Sequence, residues 1–279
     1  QAIEILLYDA ALHMGMPEDD ANRTHREWIS LNNEDTNAGL LDGRAALLSA
    51  SPNERLTAID DMLSRQMRAD RGAVWISHLP AKRIAEIAGD ADRIRCAFEA
   101  ALHPALVLSR QGKSVRFISS DYSACQLAIM ISAIIEAPLD VVTVNPFSRT
   151  DEGEFDAEII MSPFGLKISS GADIPKSTLN VLGENERSRR LSSDPLAVAD
   201  GLQSSCPRVV ISVYDAMMFR GVGVEPIARE ALVESGRLES IFSVPSGMIF
   251  PHTGIATNLL VLGRGSDSHD IRFIDLSNE

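Results

Sequence analysis

Cysteine is scarce in this 279-residue chain, with three residues, Cys96, Cys125 and Cys206, far apart in sequence. An odd count with no CxxC pair argues against a disulfide framework or a zinc site and predicts a reducing cytoplasm. Aromatic residues supply only 5% of the chain, so aliphatic side chains must build the core. No apolar run reaches the roughly 18 residues a membrane-spanning helix needs, and no signal peptide opens the sequence. Positive charge is also short: 26 Lys and Arg stand against 39 Asp and Glu, a formal net charge of −13. Such a chain does not hold DNA by bulk attraction, because phosphate contacts need Lys and Arg; a local basic patch or a basic partner would have to supply them. No G-x-G-x-x-G or P-loop follows a predicted strand, which argues against the common nucleotide-binding enzymes. Gln1 is not an initiator Met and the sequence stops at Ser277-Asn278-Glu279, so it reads as part of a longer protein.

What is present is an ordinary globular composition, 45% hydrophobic and 23% charged. Residues 1–110 are expected to be helical. Ile3, Leu6, Leu7, Ala10 and Ala11 recur at helical spacing. Ser51-Pro52-Asn53-Glu54 is a helix start, followed by Leu56, Ile59, Met62, Leu63 and Met67 on one face. Pro80 opens a helix carrying Ile84 and Ile87, and a further helix is expected over 94–102. The pattern then changes. Strands are predicted at 115–118, 140–144, 157–161, 208–213, 238–244, 258–262 and 271–274, with helices at 125–135, 196–202 and 225–234. Residues 166–193 read as a long polar loop. Alternating strands and helices predict an α/β sheet covered on both faces, with the two closing strands adding an antiparallel element to a mainly parallel sheet. The expected organisation is a helical domain over 1–110 and an α/β domain over 111–279.

The most specific stretch is 208–279. It carries Phe219-Arg220-Gly221, an amphipathic helix, Val244-Pro245, Gly254-Ile255-Ala256-Thr257-Asn258, Phe273-Ile274-Asp275 and Ser277-Asn278-Glu279. In this order they resemble the modification subunit of type I restriction–modification systems, a family of N6-adenine DNA methyltransferases. The resemblance extends upstream. Phe155-Asp156 leads to Pro163-Phe164-Gly165-Leu166-Lys167 where the family has Asn-Pro-Pro-Phe-Gly, its Asn falling on Met161 and its first Pro on Ser162. Trp75-Ile76-Ser77-His78-Leu79-Pro80 falls at the family's Phe-Tyr-Thr-Pro, and 115–129 falls at its Asp-Pro-x-Cys-Gly-Ser-Gly cofactor turn.

The resemblance implies a Rossmann-like, S-adenosylmethionine-dependent methyltransferase fold, with S-adenosylmethionine as the cofactor of an active member. It also implies an adenine flipped out of the duplex and held so that its N6 attacks the methyl group. Both sites are altered here. Glycine, which lets backbone approach a ligand closely, is missing from Val115 to Asp151. Ser119 stands at the family's acid, and Tyr122, Ser123, Cys125 and Gln126 fill the turn. Asp121 reads as a helix cap or as a displaced acid. At the catalytic motif Met161, Ser162, Pro163 and Phe164 replace the family's residues; a thioether is a weak acceptor and does not replace the Asn amide oxygen. Phe164 reads as a base-stacking ring or a loop-edge hydrophobe. Val144-Asn145-Pro146-Phe147 is a rival motif, with Asn145 as an alternative amine acceptor or simply a turn residue. Arg187, Arg189 and Arg190 read as phosphate contacts or as solvated loop charges beside Glu184 and Glu186. His252 has no metal spacing around it.

These readings lead to three expectations. The first is a catalytically degenerate methyltransferase-like subunit of a restriction–modification or related defence system. It would bind a specificity subunit or a second methyltransferase subunit and reach DNA through the complex, with no methyl donor bound. The second is an active, divergent adenine methyltransferase. The third is an interaction module with no nucleic-acid role.

Overall fold

The computed structural model describes residues 2–15, 34–67, 75–149, 154–169, 174–184, 190–250, 254–265 and 270–277. Among the described residues four helices precede the sheet: α1 (Ala2–His13), α2 (Glu34–Ser49), α3 (Pro52–Met67) and α4 (His78–Ile87). The start of α3 is spelled out locally. The Ser51 amide and hydroxyl both donate to the Glu54 carboxylate, at 2.7 and 2.6 Å, and the Glu54 amide donates back to Ser51 Oγ at 3.4 Å. This reciprocal cap satisfies donors that a helix start leaves open.

The chain then runs through β1 (Arg93–Ala97), α5 (Leu102–Arg110), β2 (Ser114–Ser119), α6 (Tyr122–Ile134), β3 (Asp140–Thr143) and β4 (Ala157–Ile160). After these come β5 (Lys167–Ser169), α7 (Lys176–Val181), β6 (Arg190–Ser192), α8 (Ser193–Gln203), β7 (Arg208–Tyr214), α9 (Ala216–Phe219) and α10 (Glu225–Glu234), and finally β8 (Leu238–Val244), β9 (Thr257–Leu262) and β10 (Arg272–Asp275). Eight strands form one sheet in the order β10-β8-β9-β7-β4-β1-β2-β3. Its neighbours pair in parallel except around β9, which is antiparallel to both β7 and β8. The antiparallel element is therefore β9; the last strand, β10, runs parallel to β8.

Two expectations are corrected. The sheet begins at Arg93, inside the segment expected to be helical to residue 110, because 93–97 finds parallel partners on both sides, β2 and β4. Residues 166–193, read as a loop, hold the β5–β6 antiparallel pair and α7. Strands of three residues are too short to show a period of two.

The central strands are buried on both faces, as parallel strands under crossover helices must be. On β1, Ile94 and Cys96 join the core beneath α1, α3, α4, α5 and α6, whereas Ala97 joins the core beneath α7, α8 and α10. Arg95 lies between them on the second face and is 2% exposed. A buried cation in the centre of a sheet demands compensation, and the chain supplies it next door. Among the described residues no helix is long and apolar enough to cross a membrane.

Candidate cofactor and base site

The chain passes from β1 outward through β2 and β3, then returns to place β4 on the other side of β1. In open α/β sheets this reversal opens a ligand crevice beyond the carboxyl ends of the two strands. Here those ends are Ala97-Phe98 and Ile160-Met161. The ladder closes tightly: the Met161 amide donates to the Ala97 carbonyl at 3.1 Å and the Phe98 amide to the Ile118 carbonyl at 2.8 Å.

The turn leaving β1 contains no glycine. It reads Phe98-Glu99-Ala100-Ala101, a short 3-10 turn over Glu99–Ala101 leading into α5. Phe98 has φ 74° and ψ 162°, a region only glycine enters freely, and a side chain there costs about 1–3 kcal/mol that surrounding contacts must overcome. Those contacts are present. Phe98 is 6% exposed, and its ring centroid lies 4.8 Å from that of fully buried Phe147, tilted by 59°. Ala100 and Ala101 are also buried. The Glu99 carboxylate accepts from the Ser119 hydroxyl, whose oxygen accepts from the Asp121 amide at 2.8 Å.

The turn expected from sequence lies one strand further out. Ser119 ends β2, and Asp121 caps α6, its carboxylate accepting from the amides of Ser123 at 2.8 Å and Ala124 at 3.4 Å. Tyr122 is half exposed, and burial raises the Cys125 thiol pKa. Residues 114–119 are thus the second strand of the sheet and not its first, which is 93–97, a segment expected to be helical.

Asn145 follows β3 at the sheet edge, with β2 and β1 between it and β4. Its Oδ1 accepts from the Phe147 amide at 3.1 Å, a turn-forming role. Three buried charges and the part-buried Arg149 pin this segment. Arg95 donates to Glu158 at 2.5 Å and to the Pro146 carbonyl at 2.8 Å. Arg149, left-handed at φ 48°, donates to Glu158 at 3.1 Å and to both oxygens of Asp200, at 2.7 and 2.9 Å. Burial alone would push Glu158 up, but Arg95 and Arg149 outweigh it and hold the carboxyl below its ordinary range. For Asp200 burial wins against Arg149, lifting it to about 6.

The loop after β4 is equally fixed. Met161 and Ser162 are each 2% exposed, and the Ser162 hydroxyl finds no hydrogen-bond partner among the described residues. The Ser193 hydroxyl donates to the Pro163 carbonyl, the Ser193 amide to Leu166 at 2.9 Å, and the Asp194 carboxylate accepts from the amides of Gly165 at 2.8 Å and Tyr214 at 3.0 Å. Phe164 is half-buried, edge-to-face with Phe250 at 4.9 Å. Thus Met161 to Phe164 stand together at the carboxyl end of β4, whereas Asn145 is held elsewhere. Arg187 and Arg189 lie outside the described residues; Arg190 opens β6.

Trp75 is buried and stacked 4.3 Å over His103 of α5, and its indole donates to Asp60 at 2.8 Å. His103 Nδ1 lies 2.6 Å from the Ile76 carbonyl, which can only accept, so this nitrogen carries the proton; Nε2 faces His78 Nδ1 at 3.4 Å. Among the described residues no group of three His, Cys, Asp or Glu side chains is placed to hold a metal.

The mixed, mainly parallel sheet has the fold of S-adenosylmethionine-dependent methyltransferase-like structures. A putative class I S-adenosylmethionine-dependent methyltransferase from Listeria monocytogenes aligns over 89% of this chain and 81% of its own, with TM-score 0.61 and 13% identity. Within that class the likeness is to type I modification subunits. The methyltransferase subunit from Streptococcus thermophilus aligns over 88% of this chain at TM-score 0.73 and 18% identity, and a modification subunit of a putative type I enzyme from Vibrio vulnificus over 88% at 0.62 and 17%. The chain spans 57% and 56% of these two subunits. The family model for N-6 DNA Methylase matches residues 201–279. A comparison with curated proteins returns no match.

Proposed function

We propose that the chain is a methyltransferase-like subunit that does not itself transfer methyl groups and acts by binding a partner in a cytoplasmic restriction–modification or related defence system. The observation that carries this reading is Phe98. A methyl donor needs room where the backbone leaves β1; that backbone is covered by a buried phenylalanine ring and buried alanines. The residues present do not fit S-adenosylmethionine there. Met161 adds a second obstacle, since it offers sulfur where the target amine needs an amide oxygen. Asn145 is no substitute in this geometry, because its oxygen serves the turn onto Phe147.

A binding role is supported by the loop between α9 and α10. Phe219 is 76% and Val222 71% exposed. The polar groups around them are satisfied internally, Arg220 by Glu225 at 3.0 Å, and the carbonyls of Met217 and Arg220 by Arg229 at 2.7 and 2.8 Å. Neighbouring apolar side chains on a fixed loop suit a protein contact, here with a specificity subunit or a second methyltransferase subunit. With a net charge of −13, DNA is reached through that complex.

The test is transfer of labelled methyl groups to unmethylated DNA, by the chain alone and with subunits encoded beside it. No label should depend on Met161, Phe164 or Asn145. Label at adenine N6 from the chain alone, lost in Asn145→Ala, would overturn the reading in favour of an active enzyme. Salt-independent failure of the assembled complex to retain DNA would favour an interaction module without a nucleic-acid role.

A further inference from the structure

At the edge of the sheet opposite the candidate site lies an open pocket of about 380 Å³, lined by Ser204, Ser205, Cys206, Pro207, Arg237 and Arg264. We propose that it is a binding site for a phosphate group carried by a small molecule. The inference is independent of the reading above: the pocket lies at the amino ends of β7 and β8, where the antiparallel β9 ends, and shares no residue with Met161 to Phe164 or with the turn after β1.

The first observation is charge without counter-charge. The chain is acidic overall, and its surface guanidinium groups commonly hold a carboxylate, as Arg44 holds Asp9, Arg83 Glu86, Arg93 Asp156 and Arg116 Asp140. The two arginines of the pocket do not. Among the described residues the half-buried Arg237 meets only backbone carbonyls, those of Ser204 at 2.7 Å, Cys206 and Gly263 at 2.8 Å, Leu202 at 3.2 Å and Gly201 at 3.5 Å. These carbonyls fix the guanidinium in place but, being neutral, leave its charge uncancelled. Burial lowers its pKa against the pull of Cys206 and of Glu158, a carboxylate already shared by Arg95 and Arg149. The neighbouring acid, Glu239, lies over Gly263 and is taken by Arg208 at 2.9 Å. The second observation is free donors. Arg264 and Ser205 are exposed, and neither side chain makes a hydrogen bond or ion pair among the described residues. The planar fork of Arg264 matches two oxygens of a phosphate, and the hydroxyl adds a further donor. The third is the balance of charge and size. A phosphate monoester carries about −1.5 to −2 at neutral pH, enough for two guanidinium groups, where a carboxylate answers one. Small-molecule pockets run from roughly 300 to 1,000 Å³, so this one holds a phosphate together with a small group attached to it.

The experiment is a titration of the isotope-labelled chain with inorganic phosphate and with phenyl phosphate, followed by the backbone amide shifts of Ser205, Cys206 and Gly265, with chloride at matched ionic strength as the control. Both phosphates should give saturable shifts at these amides and chloride none. Arg264→Gln, at an exposed position without partners, should keep the urea midpoint of wild type and weaken both phosphates roughly tenfold or more, the loss of one charge-assisted contact. Ser205→Ala should weaken them by less. Absence of saturable shifts with either phosphate, or equal affinity in Arg264→Gln, overturns the proposal. Retention of a DNA duplex without terminal phosphates that Arg264→Gln abolishes, with neither small phosphate bound, overturns it as well and assigns the two arginines to a nucleic-acid backbone.

Discussion

Arg95 and Glu158 face each other in register across the β1–β4 junction, joined by a 2.5 Å hydrogen bond, with neither side chain more than 2% exposed. Glu158 also serves Arg149, so one carboxylate answers two guanidinium groups. Breaking a buried pair by removing one partner strands the other charge and costs about 3–5 kcal/mol, whereas replacing both by apolar groups of similar volume costs much less. Glu158→Ala should lose stability of that order in urea unfolding. Arg95→Met with Glu158→Leu should lose clearly less than Glu158→Ala alone, because Arg149 keeps Asp200. A double variant as unstable as the single one would show that the network is not what holds this junction.

His103 gives the fold an acid-labile point. Burial is the main cause, and it lowers the imidazole from 6.5 to about 4 against the opposing pull of the Ile76 carbonyl contact and Asp60. Between those values the unfolded chain binds a proton that the folded chain refuses. Stability is therefore unaffected above pH 6.5 and falls as pH drops from 6.5 towards 4, by up to about 3 kcal/mol. His103→Phe retains a ring against Trp75 and should flatten the stability profile across that window. An unchanged slope in this variant would place the acid sensitivity elsewhere.

Asp194 couples the loop after β4 to the end of β7, accepting from the Gly165 and Tyr214 amides while itself buried. Burial raises its pKa against the pull of those amides. Asp194→Ala leaves both donors without their acceptor, at a cost of about 1–3 kcal/mol. Native-state hydrogen exchange should show the Gly165 and Tyr214 amides accelerating roughly tenfold or more, since each 1.4 kcal/mol is a factor of ten. Equal rates in the variant would mean that Ser193 alone holds the loop.

At the opposite end of the sheet, Arg237 stitches loops together through backbone carbonyls, reaching Ser204 at 2.7 Å, Cys206 at 2.8 Å, Leu202 at 3.2 Å and Gly263 at 2.8 Å. Arg237→Lys retains the charge but not the planar fork of donors. It should lower the urea midpoint by an amount equivalent to about 1–3 kcal/mol, with no change in any partner binding at the carboxyl edge. A loss of partner binding at full stability would contradict a purely structural role.

Much of the fold was legible because its signals were local. The Ser51-Pro52-Asn53-Glu54 start names the reciprocal cap of α3 before any tertiary contact exists. The expected strands at 115–118, 140–144 and 157–161 match β2, β3 and β4 to within about two residues, the usual boundary error. The strand β1 was not legible. Residues 93–97 carry an arginine at their centre and run into apolar residues that also suit a helix, so periodicity does not arbitrate. Parallel partners on both sides and a carboxylate opposite Arg95 do, and none of these is near in sequence.

The candidate site divides in the same way. Met161 at the end of β4 and the absence of glycine between Val115 and Asp151 were readable residue by residue. The turn leaving β1 was not, because it carries no glycine to mark it. Sequence alone determined that this is an α/β chain, since hydrophobic period is a property of neighbouring residues. Tertiary structure decided that Phe98 occupies the turn, that Phe147 backs it and that Arg95, Arg149, Glu158 and Asp200 form the charge network beside them. Those contacts join residues up to 63 positions apart, Arg95 to Glu158, whose proximity exists only once the sheet has formed.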